Sequence, residues 1–328
     1  MNTQQHVQKS SNEKTRQARL ISWKHFGKNI FFYVPGFVHY KNKYYQSVRN
    51  TFPSISVTGS ACSLNCSHCG GKLLETMMPA TSPETLIKTC RKIKQKGAVG
   101  CLISGGCLPD GSVPINKFVD AIAEAKRLGL TVVVHTGLVN YDTAEKLKKA
   151  GVDAVSIDIL GCEETAREIY HVNATLEDYR QSLHALKSSG IPFTPHILVG
   201  LHYGELRGEI NALKMIAETQ PSALIIIVFF PIKGTKMENL TPPSIMYVKE
   251  VLIKSRTMMP NIPIALGCAR PKGEYRTKLD TTAVKAGVNG IAFPSIEAIK
   301  AAEKLGLNIK FSSVCCSQIY ADTKKQSK

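Results

Sequence analysis

From residue 54 onward the chain alternates short apolar runs with amphipathic stretches. The apolar runs fall at 54–59, 99–104, 131–136, 153–159, 193–199, 223–230, 262–267 and 288–292, with a last one at 307–311. They are rich in Ile, Val and Leu, the pattern of strands buried on both faces. The stretches between them read as helices. Ser82 before Pro83 marks an N-cap and a first turn, and Leu86, Ile87, Cys90 and Ile93 fall on one helical face. Gly97, Gly129, Gly151, Gly190 and Gly287 each stand just before the next apolar run, where helices end in the left-handed conformation. Eight β-then-α units predict an α/β fold, a closed (βα)8 barrel of the TIM type with an N-terminal extension. An open α/β sheet with fewer strands is the alternative. No linker-like stretch divides residues 54–311, so one catalytic barrel domain over 51–320 is expected. A basic tail and cap over 1–50 would precede it, and a disordered tail over 321–328 would follow. Residues 1–20 read as disordered or loosely helical. The aromatic residues from Trp23 to Tyr45 predict a segment packed over one end of the barrel.

Composition narrows the setting. Hydrophobic residues make up 43% of the 328, enough for a sizeable core. No run of 18 apolar residues occurs, so no membrane span is expected. The polar N-terminus lacks the apolar segment of a secretory signal. Ten cysteines in such a chain argue for metal ligation in a reducing cytoplasm, not for a disulfide framework. The net charge is +17, and about +12 of it belongs to the body outside the two tails, enough to favour an anionic partner. An acidic carrier protein and nucleic acid are both candidates, beside the plain reading of a lysine-rich solvated surface.

One stretch carries distinctive chemistry. Cys62, Cys66 and Cys69 stand at spacing C-x3-C-x2-C, after the first apolar run and before Gly70-Gly71. Thiolates select iron–sulfur clusters, zinc or copper(I). A structural zinc site would want four ligands, usually in C-x2-C pairs. Three cysteines on one tight loop suit a cubane better, each holding one iron. The fourth iron is left open to the amino and carboxylate groups of S-adenosylmethionine (SAM). The loop resembles the signature of the radical SAM enzymes; zinc and a disulfide loop are the alternatives.

Active sites in such barrels lie at the C-terminal ends of the strands, where this loop falls. Ser104, Gly105 and Gly106 follow the second run. Radical SAM enzymes have a similar Gly-Gly-acidic turn that meets the methionine amino group, but here Cys107 takes the acidic position. Ser156 and Asp158 share one face of the fourth run; a similar polar pair meets the SAM ribose in biotin-synthase-like members. Leu198 and Val199 resemble the apolar edge that carries the adenine there. His68, inside the cysteine loop, joins this set of cofactor-binding candidates. Ordinary strand ends and core packing would produce several of these features too.

The remaining cysteines divide in two. Cys90 and Cys101 read as core, and the role of Cys162 is open. Cys107, Cys268, Cys315 and Cys316 follow three different strands, and a closed barrel would let them converge on its mouth. They form a candidate second iron–sulfur site. Adjacent cysteines rarely bind one iron, so one of Cys315 and Cys316 is spare in this reading, or Ser317 takes a place.

The 62–69 loop, the run Gly200-Leu201-His202-Tyr203-Gly204, the segment Gly267-Cys268-Ala269-Arg270-Pro271 and the ending Cys315-Cys316-Ser317 resemble the biotin-synthase-like branch of the superfamily. Within it they are most similar to the subunits of two-component lipoyl synthases, over about residues 30–320. That resemblance implies a sulfur-inserting enzyme with two 4Fe–4S clusters and SAM. A 5′-deoxyadenosyl radical would remove hydrogen from a protein-bound octanoyl chain, and the second cluster would be the sacrificial sulfur donor. Implied partners are an octanoylated lipoyl carrier protein or peptide, a related second lipoyl synthase subunit, and an electron donor such as ferredoxin. Arg270, Lys272 and Arg276 are the expected carrier contacts. Nucleic acid is not expected, because tRNA-modifying relatives append an RNA-binding domain and none fits after residue 320. Biotin synthase, hydrogenase-type and pyrrolysine-type maturases, and a tRNA-modifying radical SAM enzyme, remain the alternative activities.

Overall fold

A computed structural model describes residues 2–325, with side chains from residue 11 onward. Eleven strands form one sheet: β1 Asn29–Tyr33, β2 Ser54–Ser56, β3 Met78–Pro79, β4 Gly100–Ser104, β5 Thr131–His135, β6 Ala154–Asp158, β7 Phe193–Val199, β8 Leu224–Val228, β9 Ile264–Leu266, β10 Gly290–Ala292 and β11 Asn308–Ser312. The helices are α1 Asn2–Phe26, α2 Pro83–Gln95, α3 Val119–Arg127, α4 Tyr141–Lys149, α5 Glu163–Glu168, α6 Leu176–Ser189, α7 Glu209–Thr219, α8 Ile245–Met258, α9 Gly273–Ala286, α10 Ile296–Lys304 and α11 Ile319–Lys324. Every strand pairing is parallel, in the order β11-β1-β10-β9-β8-β7-β6-β5-β4-β2-β3. The sheet curls into a half-barrel of the TIM type, with β3 and β11 as its edges.

Local chemistry sets the elements. The Ser82 hydroxyl accepts from Thr85 N and the Thr85 hydroxyl accepts from Ser82 N, a capping box that starts α2. Thr175 and Asp178 start α6 in the same way. Gly287 ends α9 at φ 81°, and a Cβ there would lie 2.6 Å from Arg19 Cα of the packed α1. Left-handed backbone and close approach together demand glycine at this position.

Two boundaries differ from the sequence reading. Residues 29–33 are not part of a cap: β1 inserts between β10 and β11, with Phe32 opposite both Ile291 and Phe311. Residues 2–26 form α1, which packs on α8 and α9. The C-terminal segment is equally integral. Cys316 and Ile319 pack inside the curl against Phe31, Tyr33, Ile225, Ala265 and Ala292. Val314, Cys315 and Tyr320 pack against Phe52, Val133 and Ala154 on the other side. Tyr33 Oη donates to Asp322 Oδ2 at 2.9 Å, and Tyr320 Oη donates to the Asp153 carbonyl. These contacts occupy the interior that a closed barrel would fill with its own side chains. Of the expected disordered tail, residues 326–328 lie outside the described residues. No helix of the described residues is long and apolar enough to cross a membrane.

Candidate active site

The cysteine loop begins six residues beyond the end of β2 and folds around Cys66, whose carbonyl accepts from Cys69 N at 3.2 Å and Gly70 N at 2.8 Å. Cys66 is buried and Cys62 and Cys69 are half-buried. The turn after β4 presses on this loop. Gly106 N donates to Thr58 Oγ1 at 2.7 Å, and Ser63 N donates to the Cys107 carbonyl at 2.8 Å. A Cβ on Gly106 would fall 2.0 Å from the Ala61 carbonyl oxygen and 2.6 Å from Cys62 Cα. Gly106 is therefore required by the loop it touches.

The donor set fits a cluster with one open iron. Ligating atoms of Cys66, His68 and Cys69 lie within 4.8 Å of one another, and Cys62 stands close enough to act on the Cys66 thiol. A hydrogen bond from Cys66, opposed by burial and helped by His68, lowers Cys69 to about 4. The same bond, together with burial, pushes Cys66 far up. One thiolate is thus favoured in the folded loop, and thiolate is the ligating form. The His68 ring stacks on Tyr170 at 5.0 Å, and its Nδ1 is buried without a hydrogen-bond partner.

The chain after α5 clamps the loop, which sequence reading missed. Ser67 N donates to the Ile169 carbonyl at 2.7 Å, and Cys66 Sγ lies 3.4 Å from the Tyr170 carbonyl. His171 bridges two points: Nδ1 lies 2.9 Å from the Leu64 carbonyl and Nε2 lies 3.0 Å from Ser67 Oγ. A carbonyl only accepts, so Nδ1 carries a proton; Nε2 meets the Ser67 hydroxyl, which also lies 3.3 Å from the Glu168 carbonyl. His171 sits at φ 55°, a conformation unusual outside glycine. It is a positioning residue. His171→Ala should lower iron retained after anaerobic desalting about tenfold, the lower end for loss of an outer-shell partner. His171→Asn keeps a donor for Leu64 and should recover part of it. Equal iron in all three proteins would exclude the role.

Inside the curl, side chains from β5, β6 and β7 form a polar layer. Asp158 Oδ1 lies 3.4 Å from His135 Nε2, and Asp158 Oδ2 accepts from Tyr170 Oη at 3.2 Å. Burial disfavours the Asp158 carboxylate, but His135, His196 and the Tyr170 hydroxyl prevail and hold its pKa well below the usual range. Burial also works against the His135 imidazolium, yet Asp158 outweighs it and raises the pKa. Burial dominates at His196 and lowers it to about 4.

Other candidates are placed differently from expectation. Ser156 is buried, and its hydroxyl meets Thr194 Oγ1 and Ser317 Oγ, each at 3.1 Å, while Asp158, its expected partner at a ribose, is half-buried in the polar layer. Ser317 is thereby used as well. Ser104 Oγ donates to the His135 carbonyl at 3.2 Å. Leu198 is half-buried, while Val199, its neighbour on the strand, points the other way into the main core. One adenine edge cannot use both.

The four thiols expected at a second site separate. Cys107 stays with the first loop: burial first, then Cys62, Asp158 and Cys69, push its thiol up to about 12. Cys315 and Cys316 lie on the C-terminal segment inside the curl and Cys268, on the turn after β9, is exposed; each thiol is perturbed by another of the three, but they do not close into a compact ligand group as Cys66, His68 and Cys69 do. The hydrogen bond from Cys316, against the effect of burial, lowers Cys315 to about 7. Cys90 and Cys101 are fully buried core residues. Cys162 N-caps α5, with its Cβ close to Gly208.

Arg270 is not a carrier contact. Its guanidinium is buried and bidentate on Asp280, at 2.8 and 3.0 Å, and also donates to the Gly267 and Phe293 carbonyls. Breaking such a buried pair typically costs about 3–5 kcal/mol, so Arg270 braces the Cys268 turn. Arg276 continues the brace through the Pro271 and Arg270 carbonyls. Of the three expected contacts only Lys272 is exposed. A groove of about 930 Å³, lined by Leu108, Val139, Tyr141 and His184 among others, has no cysteine in its lining.

Residues 56–213 match the family model described as the radical SAM superfamily. The chain is 26% identical over 277 residues to the biotin synthase of Buchnera aphidicola subsp. Baizongia pistaciae, covering 78% of each. It is 24% identical over 252 residues to the mitochondrial biotin synthase of Arabidopsis thaliana, covering 72% of this chain and 64% of that one. Among solved structures, methylornithine synthase has a TM-score of 0.63 at 17% identity over 97% of this chain and 92% of that one. The FeFe-hydrogenase maturase from Carboxydothermus hydrogenoformans has a TM-score of 0.64 at 16% identity, covering 94% and 74%. At these identities the structural likeness speaks for the fold alone.

Proposed function

We propose that this chain is a radical SAM enzyme related to the biotin synthases, a reading supported by the match over residues 56–213 and by its biotin synthase relatives, and that it inserts sulfur into a protein-bound octanoyl chain as one component of a lipoyl synthase. A single observation supports the reading: besides the Cys62/Cys66/Cys69 loop after β2, the fold carries Cys268 on the turn after β9 and Cys315 and Cys316 on the C-terminal segment that packs inside the curl. A 4Fe–4S cluster with SAM supplies, when bound, one-electron chemistry able to open an unactivated C–H bond. Cys62, Cys66 and Cys69 would hold that cluster, and His171 and Ser67 keep their loop in shape. The Gly105-Gly106 turn lies against the loop, and the lack of a side chain on Gly106 lets the two backbones meet. Cys268, Cys315 and Cys316 would hold a second cluster as sulfur source, with Arg270 and Asp280 fixing the turn that carries Cys268. Separate housing of the two thiol sets suits a reaction that takes hydrogen at one place and delivers sulfur from another. A carrier domain of acidic surface suits the basic body, with Lys272 as one contact point.

The test is mass spectrometry of an octanoylated carrier domain after incubation with this protein, SAM, a reductant and its paralogous partner. Gain of sulfur on the octanoyl chain is the expected result, with tighter carrier binding at low salt. SAM cleavage stimulated by desthiobiotin, and none with the octanoyl carrier, would replace the reading with biotin synthesis.

A further inference from the structure

One polar group inside the curl is left without a full role by the proposed function: Asp158 in it is an expected SAM ribose contact, but His135 and His196 are unassigned. His135, Asp158 and His196 stand at or near the C-terminal ends of three consecutive strands, β5, β6 and β7. Asp158 is in register with His196. His135 is in register with Ser156, two residues before Asp158 on the same face. One ligating atom from each residue lies within 4.8 Å of the other two. The two imidazole rings are 5.6 Å apart. All three side chains are only half-buried, so the group opens on the interior space and is not sealed in core.

Two further observations separate this group from an ordinary ion pair. His196 Nδ1 is buried and has no hydrogen-bond partner, an unusual state for a buried polar atom. The Asp158 oxygen turned away from His135 accepts from Tyr170 Oη at 3.2 Å. Such an outer hydroxyl orients ligating carboxylates at metal centres. Two imidazoles and one carboxylate are the donor set of catalytic zinc sites and of non-haem iron sites that keep open positions. Strands hold such a set more firmly than loops do.

We propose that His135, Asp158 and His196 bind one divalent first-row transition ion, Fe²⁺ or Zn²⁺, leaving open positions toward the interior for an oxygen donor such as a carbonyl or carboxylate. The three donors are nitrogen and oxygen, although Cys315 is near enough to act on His135 and Asp158 is near enough to act on Cys107. The site stands apart from the sulfur-insertion reading, since metal binding here needs neither cluster to turn over.

The probe is Co²⁺ alone, titrated anaerobically into the full-length protein with its clusters reconstituted. One equivalent should bind with visible ligand-field bands and without thiolate-to-cobalt charge transfer. Displacement by Zn²⁺ and by Fe²⁺ in parallel titrations identifies the preferred ion. His196→Ala and Asp158→Asn should weaken Co²⁺ binding more than tenfold, and Tyr170→Phe about tenfold. His184→Ala, at an exposed histidine, should leave it unchanged. In case these variants fold poorly, the wild-type protein labelled with ¹⁵N-histidine supplies a second readout: the Co²⁺ resonance should carry hyperfine coupling from two imidazole nitrogens. Thiolate charge transfer as the only signature, affinity unchanged in His196→Ala, or no histidine coupling in the labelled protein would overturn the proposal.

Discussion

Cys66→Ala protein, reconstituted anaerobically and supplied with SAM and a strong reductant, should form no detectable 5′-deoxyadenosine. Of the three loop cysteines, Cys66 is the most enclosed, at 6% exposure, and its carbonyl anchors the turn through Cys69 N and Gly70 N. The substitution deletes the sulfur and leaves those backbone bonds in place, so the loop keeps its path. What is lost is one of three thiolates, and two cannot hold three irons. Alanine offers no donor, and His68 cannot replace a thiolate because it is a poorer match for a soft cluster iron. Cys90→Ala serves as the control. It removes a core thiol on α2 far in sequence from the loop and should keep the wild-type rate, at the modest stability cost of a small buried truncation. Deoxyadenosine at the wild-type rate from Cys66→Ala would end the cluster assignment.

The parts of this site that could be read from sequence are those coded locally. The 62–69 spacing is a property of eight residues. The Ile- and Val-rich runs that became β4 to β10 announce themselves because parallel strands are covered on both faces. What could not be read depends on pairing across the chain. Asn29–Tyr33 looked like an aromatic cap because its partners lie near residues 290 and 310. His171 reaches the cysteine loop over more than 100 residues of sequence. One reading could have been sharper from the sequence itself. Leu198 and Val199 are adjacent on a strand, so alternation alone places them on opposite faces. Arg270 lies between two predicted elements, where a buried bidentate role on Asp280 is invisible without the fold. Cys107 was grouped by strand number alone. Its turn is drawn instead to the neighbouring β2, and hence to the first loop.

That regrouping of Cys107 gives the last expected result its form. A protein with Cys62, Cys66 and Cys69 all replaced by alanine should still hold about four irons with matching sulfide, the content of one cubane. Adding Cys268→Ala or Cys316→Ala should bleach it. Adding Cys107→Ala should not. The fold separates these outcomes because the turn carrying Cys107 is hydrogen-bonded to the first loop through Gly106 N and the Cys107 carbonyl, while Cys315 and Cys316 sit on the C-terminal segment packed inside the curl. The C-terminal segment is held for this role at both ends, by Ser317 on Ser156 and by Asp322 on Tyr33, so its cysteines are fixed by the fold and not free on a frayed tail. Sulfide must be measured together with iron, since one iron without sulfide would come from the His135, Asp158 and His196 group. A triple variant with neither iron nor sulfide would leave the chain a single cluster and remove its internal sulfur source. The reading would then move from sulfur insertion toward a maturase-like rearrangement. Loss of the second cluster through Cys107→Ala would instead return the fourth thiol to it, and would require the turn after β4 to swing away from Cys62, although Gly106 is fitted closely against it.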